Sequence, residues 1–152
     1  MRKFLPLIII GAVLLIGYSY FKGINNTAVT LDQNVKESWG NVETSYQRRN
    51  DLIGNLVKTV QGAAEYEKGT LTAVIEARAK ATSVTIDPSN VTPEQMAQFQ
   101  QAQGGMTSAL SRLLVTVEQY PSLKANENFL KLQDELASTE NQILTARTRY
   151  NE

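Results

Sequence analysis

The run LDQNVKESWGNVETSYQRRNDLIGNLVKTV, residues 31–60, decides the fold. In it and just beyond, Val35, Trp39, Val42, Tyr46, Arg49, Ile53, Leu56, Val60 and Ala63 follow one another in alternating steps of four and three. At 3.6 residues per turn such a series stays on one face, so it reads as the seam of a long helix packed at coiled-coil-like angles. Arg49 is the one member that is not apolar. Asp32 is the expected N-cap, with Lys36 and Glu37 following. Trp39 and Tyr46 are expected in the core, and Gly54 is expected to weaken or kink the helix.

The pattern repeats toward the C-terminus. A second helix is expected from about Glu65 to Ser83, with Leu71, Val74, Arg78 and Ala81 on one stripe. Asp87-Pro88-Ser89-Asn90 then makes a turn. Thr92-Pro93-Glu94-Gln95 carries a helix start in full: Thr92 as N-cap, Pro93 in the first turn, Glu94 at the positive dipole end, Gln95 closing a capping box. The third stripe is Met96, Phe99, Gln103, Met106, Leu110, Leu113 and Val117, interrupted in propensity by Gly104-Gly105, which reads as a close helix crossing or a kink. That helix should end near Tyr120-Pro121. Ser122 is the expected cap of the last helix, whose stripe is Phe129, Leu132, Leu136, Thr139, Ile143, Ala146 and Tyr150. No strand-like alternation exceeds Val84 to Ile86. Helices with one apolar seam each, joined by short turns, make an all-α antiparallel bundle.

Upstream, residues 4–21 read FLPLIIIGAVLLIGYSYF, with no charge among them. At helical rise they extend roughly 27 Å, close to the ~30 Å hydrocarbon core of a bilayer. Arg2 and Lys3 precede the run, Lys22 closes it, and Tyr18, Tyr20 and Phe21 gather at its far end, where amphipathic aromatics favour the headgroup zone. A single membrane-spanning helix from Phe4 to Phe21 is the leading reading. A cleaved signal peptide is the alternative, with Gly17-Tyr18-Ser19 as a weak small-x-small site. The organisation is then an anchor over 1–22, a short linker over 23–30 (GINNTAVT) and the bundle over 31–152. The basic residues beside the N-terminal edge favour that end inside and the bundle outside the cytoplasm.

The balance of 15 basic against 15 acidic residues hides two unlike parts. Without Arg2, Lys3 and Lys22, 12 basic residues face 15 acidic ones, so the bundle carries −3. Nucleic acid and a polybasic grip on lipid are both disfavoured. With no Cys and no His there is no disulfide, no thiolate nucleophile, no imidazole base and no Glu-x-x-His di-iron pattern. DPSNVTPEQ lacks the spacing of a calcium loop, and no cofactor or metal is expected. Lys58, Lys80, Lys124 and Lys131 read as solvated surface lysines rather than bases for a hydroxyl nucleophile.

Polar residues on the seams are the candidate interhelical sites. Arg49 and Arg78 each sit on an apolar stripe, with Asp51, Glu76, Glu127 and Glu140 as candidate partners. One reading is an ion pair that sets register. The other is an anionic ligand held between helices by the planar guanidinium fork. Asn126-Glu127-Asn128 and Thr139-Glu140-Asn141 are polar clusters that cap, bridge or present a recognition surface.

Four runs are more specific than a generic bundle requires: residues 31–60 above, EKGTLTAVIEARAKA (67–81), ALSRLLVTVEQYPSLKANENFLKLQDEL (109–136) and TENQILTARTRYN (139–151). Together with the N-terminal anchor they closely resemble the LemA family of bacterial membrane proteins. The resemblance implies a membrane-anchored bundle of long antiparallel helices in the bacterial plasma (inner) membrane. It brings no settled biochemical activity and no catalytic residues. The family typically has Pro where this chain has Gly54, which implies a flexible bend in place of a fixed one. It also continues its last helix past Tyr150-Asn151, so the stop at Glu152 reads as a C-terminal truncation. The functional expectation is a single-pass, non-enzymatic interaction or scaffold protein, held in the lipid bilayer through 4–21 and docking a protein partner or itself. The alternative is a sensory module for a small anion between helices.

Overall fold

A computed structural model describes residues 5–63 and 66–152 and, of residues 5–9, the backbone alone. Among the described residues five helices follow in order: α1 (Leu5–Gln61), α2 (Lys68–Ser83), α3 (Pro93–Val117), α4 (Pro121–Lys124) and α5 (Glu127–Asn151). No strand occurs among the described residues. The chain divides into two units between Glu37 and Ser38.

In the first unit, residues 23–30 are helical where a linker was expected. The Asn, Thr and Gly there lower propensity, but Thr27 donates to the Gly23 carbonyl at 3.0 Å and Thr30 to the Asn26 carbonyl at 2.9 Å, each back onto its own helix. Asp32 is therefore no N-cap. It lies within α1 and accepts from Lys36 Nζ at 2.8 Å, one turn on. The expected anchor begins outside the described residues, at Phe4. Among the described residues, no helix is long and apolar enough to cross a membrane. From Ala12 to Phe21 the run is exposed: Val13, Leu14, Leu15 and Ile16 are 62–69% accessible, and Tyr18, Tyr20 and Phe21 are open too.

The second unit is the helical bundle. The α1 seam is buried from Trp39 onward through Val42, Tyr46, Arg49, Ile53, Leu56 and Val60. Val35, the first member of the expected series, is exposed and belongs to the first unit. Leu71, Val74 and Ala81 of α2, Phe99 to Val117 of the α3 stripe, and Phe129, Leu136, Thr139, Ile143 and Ala146 of α5 complete the core. Pairings fix the directions. Trp39 meets Phe99 and Tyr150, while ten residues further along α1 Arg49 meets Gln103 and Glu140. So α1 and α3 run one way and α5 the other, and the Arg78–Asn50 bond sets α2 against α1.

The α3 start forms as its residues dictate. Thr92 Oγ1 accepts from Gln95 N–H at 3.2 Å, Gln95 Oε1 accepts from Thr92 N–H at 3.0 Å, and Pro93 opens the helix. The last helix starts differently from expectation. Ser122 does not cap it. Pro121 opens the single turn α4, which carries Leu123 into the core, and Asn126 caps α5 by accepting from Phe129 N–H at 3.1 Å. The α2 start at Lys68 replaces one expected near Glu65, which lies outside the described residues. Gly104 and Gly105 mark no close crossing. A Cβ on either meets nothing within 4 Å, and α3 runs through them unbroken.

Candidate functional site

Two hydrophobic clusters fill the second unit. One is mainly aliphatic: Leu52, Ile53, Leu56, Val57 and Val60 of α1 with Leu71, Val74, Met106, Leu110, Leu113, Val117, Leu123, Phe129 and Leu136. The other is aromatic-rich: Trp39, Val42, Tyr46, Ile86, Phe99, Ile143 and Ala146. Trp39 and Tyr46 both stack edge-on against Phe99, at 5.5 and 5.1 Å between ring centres, and Trp39 also meets Tyr150 at 5.1 Å. A small cavity of about 80 Å³ lies among these rings, and the Trp39 Nε1–H is buried without a partner among the described residues.

Between the clusters runs a layer of polar side chains centred on Arg49, which is 2% exposed. Its Nη1 donates to Glu140 Oε1 at 3.1 Å and to Thr107 Oγ1 at 3.2 Å, and its Nη2 donates to Gln103 Oε1. The guanidinium carbon stands 4.9 Å from the centre of the Tyr46 ring, a cation–π distance. Gln103 is itself buried and uses its Nε2 to donate to the Ala81 carbonyl at 3.4 Å. One arginine thus links α1 to α3 and α5, and the glutamine carries the link to the end of α2. Glu140 keeps 40% of its side chain in water, so the charge is neutralised by a carboxylate that is not itself fully desolvated. The Arg49 Nε–H and the Asn50 Oδ1 in this layer are buried and unpartnered among the described residues.

Arg78 occupies the equivalent seam position of α2 but does not enter the interior. Its guanidinium lies against α1 at Gly54, and its Nε donates to the Asn50 carbonyl at 2.8 Å. Among the described residues no carboxylate lies within ion-pair distance of it. An open groove of about 520 Å³ runs beside it along α1. The remaining candidate partners do not join either arginine. Glu127 sits exposed in the first turn of α5, Glu76 is exposed, and Asp51 accepts from Gln47 Nε2 at 3.1 Å. Of the expected candidates, then, the fold brings Arg49 and Glu140 together, sets Arg78 apart in a groove, and leaves Glu127 at a helix end. Phe21 is exposed in the first unit, and Phe4 lies outside the described residues.

Sequence reasoning placed Gln103 on the α3 stripe without giving it a role. The available signal was its polarity on an apolar seam, the same anomaly that singled out Arg49. The use of the Asn50 carbonyl by Arg78 had no signal, since every residue has a carbonyl. Among the described residues no group of three or more His, Cys, Asp or Glu gathers as metal ligands would.

The chain is similar to several known bacterial proteins. It is 28% identical to the magnetosome protein MamQ 2 of Paramagnetospirillum magneticum, over 83% of this chain and 53% of that protein. The magnetosome protein MamQ of Magnetospirillum gryphiswaldense is 26% identical over the same shares. Protein LemA of Metamycoplasma hominis is 23% identical over 91% of this chain and 61% of that protein. The chain spans little more than half the length of the curated relatives it matches. A model of the LemA family matches residues 38–152, the same residues that make up the second unit with its polar layer, and the chain belongs to the LemA family.

Proposed function

We propose that this LemA-family chain is a single-pass protein of the bacterial plasma membrane and acts without catalysis, docking a protein partner or a second copy. Residues 4–21 form the anchor, the N-terminus faces the cytoplasm, and the bundle lies outside it. The observation that carries the anchor is the exposure of Val13, Leu14, Leu15 and Ile16. Four consecutive residues at about 100° each sweep most of a helix circumference. A helix apolar on every side and covered on none calls for a hydrocarbon surround. The aromatic group Tyr18, Tyr20 and Phe21 suits the following headgroup zone. The interaction role rests on the bundle itself, whose polar layer closes on its own side chains rather than on an assembled acid, base and nucleophile.

Membranes bearing the full chain, washed in alkaline carbonate, test the anchor. The chain should stay in the pellet, and a variant lacking residues 2–22 should appear in the wash. Release of the full chain by carbonate would overturn the reading. A reporter fused after Glu152 should be active only outside the cytoplasm. Crosslinking in intact membranes should trap a discrete partner or a dimer, and a chain that remains uncrosslinked throughout contradicts the docking role.

A further inference from the structure

We propose that Arg78 and Lys58 form a binding site for a compact oxyanion group, a phosphate or a carboxylate, along the faces of α1 and α2.

The site is built around a glycine. A Cβ at Gly54 would stand 3.2 Å from Arg78 Nη2, 3.3 Å from Cζ and 3.4 Å from Nε. These distances are too short to leave the guanidinium undisturbed, so its seat against the α1 backbone depends on the missing side chain. The Nε–H bond to the Asn50 carbonyl then fixes the plane of the fork from behind. Of five guanidinium N–H groups this uses one. Nη1 and Nη2 have no partner among the described residues, although the residue is half-buried. A partly desolvated, oriented and unpaired fork is the arrangement that recognises a planar or tetrahedral oxyanion by paired hydrogen bonds.

The rest of the groove agrees in chemistry. Asn55, Lys58 and Gln61 follow Gly54 along the same face of α1 and line the groove, adding an ammonium and two amides. Ile75, three residues before Arg78, supplies an apolar wall. Asp51 is the opposing charge at the arginine end, outside ion-pair distance and hydrogen-bonded to Gln47. The groove is open to water and has room for a small molecule of several heavy atoms. Arg49 differs on each count, since its fork is already filled by Glu140, Thr107 and Gln103.

The test is a titration of the full chain in phosphatidylcholine nanodiscs with inorganic pyrophosphate. It is followed by NMR of the arginine Nε–H signals and the backbone amides. The Arg78 Nε–H and the amides of Gly54 and Lys58 should shift saturably. Arg78→Gln should weaken binding about ten- to hundredfold, the loss of one or two charge-assisted hydrogen bonds. Lys58→Gln should weaken it less, and Asp51→Asn should strengthen it by removing the competing carboxylate. Gly54→Ala guards against a folding artefact. Its Cβ displaces the fork, so binding should fall while the helical melting curve is kept. Nanodiscs carrying phosphatidylglycerol separate two sources: an Arg78 shift without pyrophosphate assigns a lipid headgroup, and its absence assigns a soluble ligand. Shifts that fail to saturate, or that persist in Arg78→Gln with the same midpoint, overturn the site.

Discussion

The polar layer around Arg49 and the groove beside Arg78 start from the same sequence event, a guanidinium on an apolar stripe, and end in opposite states. Arg49 is sealed between two cores and spends its fork on Glu140, Thr107 and Gln103. Arg78 lies at the rim, spends one N–H on a backbone carbonyl and leaves the rest toward a groove. The difference comes from what faces each residue. Opposite Arg49 stand side chains with acceptors on two other helices. Opposite Arg78 stands a glycine, which offers space and backbone and no side-chain acceptor. A charge on a seam therefore does not announce its role; the residue across the interface decides between internal bracket and open fork.

The sharpest way to break the contrast is to remove Arg49. Arg49→Ala leaves Gln103 Oε1 without its donor and a hole between the clusters, and should cost about 3–5 kcal/mol in denaturant unfolding. A cost below about 1 kcal/mol would show that the layer does not hold the bundle. Replacing the layer rather than emptying it separates stability from register. Arg49→Met with Gln103→Leu exchanges buried polar groups for apolar ones of similar size, and should recover most of that loss. If the layer pins register, the Trp39 and Phe99 ring signals should broaden in this variant, because the aliphatic and aromatic clusters can then slide past one another. Sharp, unshifted ring signals would remove the register role.

Arg78 should matter far less to folding. Arg78→Ala deletes one hydrogen bond to a carbonyl and some packing against Gly54, and about 1 kcal/mol is expected in the same unfolding measurement. A loss as large as that of Arg49→Ala would mean that Arg78 is a structural bracket too, and the two regions would no longer differ in kind.

Much of this frame is legible along the chain, and the limits are physical. Steps of three and four identify a seam because side chains three or four apart share a helix face. They say nothing about where the partners begin, so Val35 fits the series and is still exposed. Local chemistry that closes within four residues reads directly: Thr92, Pro93 and Gln95 form their box without help from the rest of the fold. Where two caps compete over a few residues, packing chooses. Leu123 needs a turn of its own to reach the core, which moves the cap from Ser122 to Asn126. Arg49 had four acidic candidates, and nothing local distinguishes Glu140, 91 positions away, from Glu127. That choice depends on the vertical register of α5 against α1, which the pattern of each helix leaves open by whole turns. The Arg78 groove was legible only as an anomaly, because its cause is an absent side chain on another helix.

The smallest effect sharpens the comparison most finely, because it compares two glycines in helices. Gly104 is exposed, and a Cβ there meets nothing within 4 Å. Gly104→Ala should therefore gain the helix propensity difference alone, about 0.5–1 kcal/mol. Gly54→Ala gains the same propensity but places its Cβ 3.2 Å from Arg78 Nη2. The neighbour is the end of a flexible side chain, so it can give way by a few tenths of an ångström, at the expense of its 2.8 Å bond to the Asn50 carbonyl. The net gain at Gly54 should be smaller than at Gly104, by at most the worth of that bond, roughly 1 kcal/mol. Combining Gly54→Ala with Arg78→Ala should remove the penalty, since the displaced group is gone. If the two glycine substitutions prove equally stabilising with Arg78 present, the guanidinium is not held against α1, and the contrast between a sealed and an oriented arginine loses its second half.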